Sequence, residues 1–222
     1  MSSLGQKQKV FLVDDHPLVR EWLTTLINQQ PDLVVCGETE SAPRALQAIA
    51  QSKPDVAIID ISLEDSSGIE LIKTLKQVQP GVLVLVLSMH DESLYAERAL
   101  RAGARGYVMK RETTKKVIEA IRRVLEGKLY VSSAVTEAIT ARSISGKTAE
   151  SPHPVDQLSD RELEVFQMLG QGLGTREIAE TLRVSIKTVQ AYCARMKEKM
   201  SLGSGTELLR EAIRWNETKH PR

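Results

Sequence analysis

Two periodicities alternate along the first half of this chain. Short apolar runs, the sign of strands buried on both faces, mark strands at 10–13, 33–36, 56–60, 82–88 and 106–110, the last three closing on a polar residue. Between them, apolar residues recur every three or four positions at 17–28, 42–51, 69–77, 93–102 and 113–126, the spacing of one helix face. Pro17 falls at a first helical turn, where a missing N–H has no partner to lose, and Pro43 suits the same place. Thr113 or Thr114 suits the cap of the last helix, whose Val117, Ile118, Ile121, Val124 and Leu125 share a face. Five strand–helix units in about 120 residues predict an α/β fold, a doubly wound five-stranded parallel sheet with helices on both faces.

From Leu129 to Val155 the pattern dissolves. Ser143-Ile144-Ser145-Gly146-Lys147-Thr148 and Ser151-Pro152-His153-Pro154 are polar and proline-punctuated, as linkers are, with room for a short helix over 134–142. From Asp156 the periodicity is helical throughout. Leu163, Phe166 and Leu169 mark one helix, and Ile178, Ala179 and Leu182 a second. The turn Arg183-Val184-Ser185 leads to a third with Val189, Cys193, Met196 and Met200, and a fourth carries Leu208, Leu209, Ala212 and Ile213. An all-α four-helix unit whose middle pair is joined by a short turn fits a helix-turn-helix. The expected division is 1–128, a linker over 129–155, and 156–222.

Composition narrows this little. The 222 residues are 41% hydrophobic and 27% charged, with a net charge of +1, so any attraction for a polyanion must be local. Cys36 and Cys193 lack metal-ligand spacing and read as small buried hydrophobes, which suits a reducing cytoplasm. No apolar run approaches the length of a membrane span, and the polar first residues carry no signal-peptide core. A cytoplasmic protein without membrane partners is expected.

The candidate chemistry lies where the strands end. In an open parallel sheet the carboxyl ends of the strands gather around one crevice. The first ends in Asp14-Asp15, the third in Asp60, the fourth in Ser88 and the fifth in Lys110. Taken singly, Asp60 starts a loop, Asp14-Asp15 cap the Pro17 helix, and Lys110 is a solvated lysine. Together they have a use. Crowded carboxylates repel, and Mg²⁺, which takes hard oxygen ligands, relieves the repulsion. One carboxylate can then attack a phosphoryl donor, with Lys110 and Ser88 reaching the transferred oxygens.

Val13-Asp14-Asp15-His16-Pro17, Ile59-Asp60-Ile61-Ser62-Leu63, Leu87-Ser88-Met89-His90 and the stretch from Gly103 to Lys110 resemble the receiver domain of two-component response regulators, a flavodoxin-like fold. That resemblance implies Asp60 as phosphoacceptor and Asp14, Asp15, Asp60 and the Ser62 backbone carbonyl as the Mg²⁺ site. It makes Ser88 the switch hydroxyl, Lys110 the phosphate-contacting lysine and Tyr107 the rotating aromatic. Glu64 stands where many receivers have proline, and Glu64-Asp65 add acid beside the site. A sensor histidine kinase is implied as donor; Leu18 and Trp22 belong either to its docking face or, for Trp22, to the core.

The second half resembles the LuxR-type helix-turn-helix of the NarL/FixJ subfamily, through Leu158-Ser159-Asp160-Arg161-Glu162, the stretch from Gly172 to Ala179, and that from Val184 to Tyr192. Gly174-Thr175 replace a frequent Ser-Asn, and Tyr192 stands where His is common. Local charge agrees: Arg183, Lys187, Arg195, Lys197 and Lys199 face Glu198 alone, a local +4. Lys187, Thr188, Tyr192, Arg195 and Lys199, with Thr175, are the expected phosphate contacts on double-stranded DNA. Gln190 is the expected base reader, with Ala191 and Ala194 limited to thymine methyls, so DNA shape would carry part of the specificity. Affinity would come from a homodimer on half-sites about one helical turn apart. Leu209, Ile213 and Trp215 serve either that dimer or packing within the domain.

The reading is therefore a transcriptional regulator, not an enzyme, switched by phosphorylation and with RNA polymerase a further partner. Two rivals stand beside it. An aspartyl-phosphate phosphotransferase would want a second acid two residues after its nucleophile, where this chain has Ser62. A DNA-binding protein with a phosphate-insensitive scaffold would have no use for the five strand-end residues.

Overall fold

The computed structural model describes residues 7–63, 66–144 and 154–219. It divides into two compact units, 1–146 and 147–222, and the division falls inside the stretch read as a linker.

The first unit is built on five parallel strands: β1 (Gln8–Val13), β2 (Leu33–Thr39), β3 (Val56–Ile59), β6 (Leu83–Ser88) and β7 (Gly106–Met109). Their order is β2-β1-β3-β6-β7, so the chain reverses direction beside β1 and leaves a crevice at the strand ends there. Central β3 is buried at all four positions, as its unbroken apolar run requires. Helices α1 (Pro17–Asn28), α2 (Ala42–Ser52), α3 (Gly68–Val78), α4 (Glu92–Ala102) and α5 (Thr114–Leu125) connect the strands. Pro17 and Pro43 lie in first turns as expected, and Thr113 takes the cap of α5 without a side-chain hydrogen bond. One core cluster joins Val10, Leu12, Ile58, Leu85 and Val108 to Leu23 and Ile27 of α1 and Val117, Ile121 and Val124 of α5, with Trp22 partly buried against it.

Three features escape the periodicity. Ser62–Leu63 (β4) and Ser66–Ser67 (β5) form a two-stranded antiparallel ladder just after Asp60. Gly68 then starts α3 so close to β3 that a Cβ there would collide with the Asp60 carbonyl oxygen. Third, the chain after α5 returns to the sheet: Tyr130 accepts from the Tyr107 N–H at 2.8 Å and donates to the Arg105 carbonyl at 3.0 Å. It continues into α6 (Ser133–Ile144), longer than the helix expected there, which packs on α4. The Ser132 N–H is bound at 2.7 Å by Glu92 at the start of α4. The cues were three separate polar contacts, which have no period.

The second unit opens with a 3-10 turn (Pro154–Gln157), followed by α7 (Asp160–Gly170), α8 (Thr175–Thr181), α9 (Ile186–Lys199) and α10 (Gly205–Lys219). Ser159 and Glu162 form a capping box that starts α7. Phe166 meets Trp215 edge-on with ring centroids 5.8 Å apart. Trp215 is thereby buried within its own unit, whereas Leu209 and Ile213 keep 39% of their surface exposed. Cys36 and Cys193 are half-buried free thiols rather than fully buried ones, and burial pushes both thiol pKa values up. Among the described residues no helix is long and apolar enough to cross a membrane.

Candidate functional site

Backbone hydrogen bonds between strand ends assemble the acidic crevice. The Asp60 N–H donates to the Val13 carbonyl at 2.8 Å, and the Lys110 N–H to the Ser88 carbonyl at 2.8 Å. Asp14 and Asp60 are thereby buried side by side at 3% and 2% exposure. The Lys110 ammonium fills the space between them, 2.7 Å from Asp14 Oδ2 and 2.6 Å from Asp60 Oδ2. Asp60 Oδ1 accepts the Ser62 N–H at 3.1 Å.

The electrostatics follow from this crowding. Burial raises the Asp14 pKa, and the neighbouring Asp60 charge raises it further, against the opposing pull of Lys110. Burial works against the charge on Lys110, but Asp60 and Asp14 together overcome it and raise its pKa. Lys110 stays an ammonium and cannot serve as a base at neutral pH.

Asp15 completes the cluster. One oxygen or nitrogen from each of Asp14, Asp15, His16 and Asp60 lies within 4.8 Å of the others. His16, which the sequence reading passed over, places Nδ1 2.7 Å from Asp15 Oδ1 and 3.3 Å from Asp14 Oδ1. Despite that proximity, Asp15 Oδ1 is a buried oxygen that accepts no directed hydrogen bond, the only such side-chain atom among the described residues. Three carboxylates against one ammonium leave two negative charges uncompensated unless His16 is protonated. Hard oxygen donors, an unsatisfied buried oxygen and that excess charge suit a divalent cation such as Mg²⁺.

Ser88 and Tyr107 stand at the side of the crevice facing α4. Ser88 is fully buried and its hydroxyl accepts the His90 N–H at 3.3 Å. Tyr107 is turned inward at 1% exposure, and its hydroxyl donates to the His90 carbonyl at 3.0 Å. Burial pushes the Tyr107 pKa up, partly offset by a hydrogen bond with Ser88, so the phenol stays neutral. His90 joins the two sides of the site. Its Nε2 is 2.6 Å from Ser62 Oγ, and its ring stacks on Tyr95 of α4 at 4.5 Å. A histidine two positions after a strand-end serine carries no signal of its own, so only the fold reveals this contact. Glu64 and Asp65, expected to add acid here, lie outside the described residues. Leu18 is 78% exposed on α1.

The second candidate surface is α9. Ser185 caps it by accepting the Thr188 N–H at 3.1 Å, and Val189 and Met196 are buried beneath it. Lys187, Gln190, Ala191, Ala194 and Arg195 are exposed together, as a groove-reading face requires, while Thr175, Thr188 and Tyr192 are partly covered. Thr188 Oγ1 lies 2.8 Å from Ser185 Oγ within the cap. Lys199, an expected phosphate contact, has a protein partner as well. Its ammonium lies 2.6 Å from Glu162 Oε2 on α7, because a buried carboxylate nearby outcompetes solvent for it.

Comparison with known proteins identifies both halves. Residues 10–122 match the response regulator receiver domain, and residues 156–212 match the luxR family of bacterial regulatory proteins. The chain belongs to the two-component response regulators that join a receiver to a LuxR-type DNA-binding domain, a family of transcription regulators.

Among its relatives is the oxygen regulatory protein NreC of Staphylococcus carnosus (strain TM300). It is 35% identical over 211 residues, spanning 93% of this chain and 97% of the relative. A LuxR-family two-component response regulator from Aurantimonas sp. SI85-9A1 is 31% identical with a TM-score of 0.58, over 63% of this chain and 99% of that one. A structure of two RcsB dimers bound to two parallel DNAs is 25% identical with a TM-score of 0.56, over 92% of this chain and 97% of that one.

Proposed function

We propose that Asp60 accepts a phosphoryl group from a sensor histidine kinase and that phosphorylation controls sequence-specific DNA binding by α9 in a dimer. The single observation that carries this is the pairing of Asp60 with Lys110 at 2.6 Å beside the unsatisfied Asp15 oxygen. A structural ion pair alone would not crowd a third carboxylate beside one ammonium.

In the transfer, an Asp60 carboxylate oxygen attacks the phosphorus of a phosphohistidine. The P–N bond breaks, and the departing imidazole keeps the electron pair. Lys110, already at the carboxylate, moves its charge onto a phosphoryl oxygen. Asp14, Asp15, Asp60 and the Ser62 carbonyl would hold Mg²⁺, which neutralises charge on the transferring group. The buried Ser88 hydroxyl would then donate to a phosphoryl oxygen. Tyr107 hydrogen-bonds near Ser88 and contacts α4 through His90, so a movement of Ser88 is felt at that helix. Lys187 and Arg195 would contact phosphates, Thr175, Thr188 and Tyr192 would flank them, and Gln190 would read a base beside Ala191 and Ala194. Leu209 and Ile213 remain exposed for a dimer contact, with Trp215 withdrawn into the fold. Expression in the cytoplasm, beside the kinase domain and the DNA, completes the reading.

Incubation with acetyl phosphate and Mg²⁺ should add the mass of one phosphoryl group to the full chain and promote dimerisation on DNA. The Asp60→Asn protein should do neither. An Asp60→Asn protein that responds like the wild type would show that another residue, or none, carries the switch.

A further inference from the structure

The C-terminal end of α9 is fastened to the start of α7 by one carboxylate. Glu162 Oε2 accepts the Ser159 N–H at 2.7 Å and the Lys199 ammonium at 2.6 Å. The Glu162 side chain keeps only 3% of its surface, whereas that of Lys199 keeps 37%. Burial works against the Glu162 charge, yet Lys199 and the two Ser159 hydrogen bonds hold its pKa below the usual carboxylate range. At the other end Ser185 caps α9 after the short turn from α8. The helix spans 14 residues, about 21 Å at the usual rise. Its reading face, Lys187 to Arg195, lies between these two fastenings.

We infer that Lys199 and Glu162 form a positioning latch that sets the tilt of the reading helix, and that Lys199 does not contact DNA. The proposal rests on α9 lying against DNA, as proposed above. Its physical basis is that Lys199 already has a short, charge-assisted partner whose other face is closed by protein. Drawing the ammonium onto a phosphate would leave a buried carboxylate with no counter-charge and only its two Ser159 hydrogen bonds. With the latch intact, the last turn of α9 cannot swing, and Gln190, Ala191 and Ala194 keep one register against the base edges. With it broken, the non-specific contacts of Lys187 and Arg195 survive while the register is lost.

A phosphate contact and a positioning latch differ in how binding responds to salt. Each phosphate contact removed lowers the slope of log K against log salt by about 0.9. Binding is measured for the full-length protein, from low to moderate salt, on a duplex enriched by selection with the wild-type chain and on a mixed-sequence duplex of equal length. The panel is Lys199→Gln, Glu162→Gln, Lys199→Arg and Lys187→Gln.

The latch predicts that Lys199→Gln and Glu162→Gln each weaken binding to the selected duplex about tenfold, the scale of one charge-assisted hydrogen bond. Binding to the mixed duplex and the salt slope should barely change, and Lys199→Arg should keep wild-type discrimination. Amide exchange in the last turn of α9 should quicken in the two Gln variants, confirming that they remain folded elsewhere. Lys187→Gln should lower the slope by about 0.9 on both duplexes. The proposal is overturned if Lys199→Gln lowers the slope by a full contact, or if Glu162→Gln binds as well as or better than wild type, as removal of a remote negative charge would allow. A Lys187→Gln protein that binds like wild type overturns the placement of α9 on DNA itself, a separate failure.

Discussion

Lys110 closes a short apolar run, whereas Lys199 closes a run of mostly charged residues. Each proves to be bound to a buried carboxylate, Asp60 with Asp14 in one case and Glu162 in the other. For Lys110 the strand-end rule pointed to the correct neighbours. For Lys199 the basic run gave no hint of this partner, because charge counting along a helix does not know that Glu162, 37 residues earlier, packs against its last turn. His90 was invisible for the same reason, its partner Ser62 lying 28 residues away.

The Glu162 shift also has a sign that can be measured. Its folded-state pKa is lowered, so the stabilisation is complete above the ordinary carboxylate range. It is lost as the pH falls through that range toward the lowered value. Urea unfolding followed by Trp215 fluorescence in a Trp22→Phe background should show the wild type losing stability as the pH falls below about 5, with Glu162→Gln flatter over that window. Equal slopes for the two proteins would mean that Glu162 is not held in its charged form.

Among the elements, the strands and the helices on the sheet were legible because each buries a face, and burial imposes a period. What joins them was not. The start of α3 depends on Gly68 lying against the Asp60 carbonyl, a close approach that only a residue without a Cβ permits. Gly68→Ala should therefore cost about 1–3 kcal/mol in the first unit, the usual range for forcing an extra methyl into a packed site. It should also slow phosphorylation, since the displaced backbone carries Asp60 and Ser62. Urea midpoints and the rate of acetyl phosphate labelling read the two effects, and an unchanged midpoint would mean that α3 can retreat freely. Similarly, α6 and the Tyr130 pairing with Arg105 and Tyr107 occupy a stretch whose composition reads as linker. Their place is fixed by the Glu92 carboxylate and an open sheet edge, and neither is local.

For the molecule as a unit of signalling, the uncompensated charge at Asp14, Asp15 and Asp60 implies a ligand-dependent stability. Mg²⁺ at about a hundred times its Kd should stabilise the receiver by about 2.7 kcal/mol. Asp15→Asn should remove most of that gain while leaving Lys110 with both of its carboxylates. Thermal melts with and without Mg²⁺ test this, and an unchanged melting temperature in the wild type would remove the case for a cation site. Beryllofluoride with Mg²⁺ should raise the affinity of the full chain for its selected DNA and bring dimers onto it, through Ser88 and Tyr107, whose contacts reach α4 by way of His90.

The amino-acid sequence by itself determined the two domain types, the order of the five parallel strands and their helices, and the residues at the strand ends. Hydrophobic period, proline position and the polar ends of buried strands are properties of consecutive residues. Tertiary structure alone decided which groups meet: His90 against Ser62, Trp215 turned inward, α6 on α4, and Lys199 on Glu162. Each of these depends on the separation of side chains distant in the chain, and electrostatic and packing energies are functions of that separation.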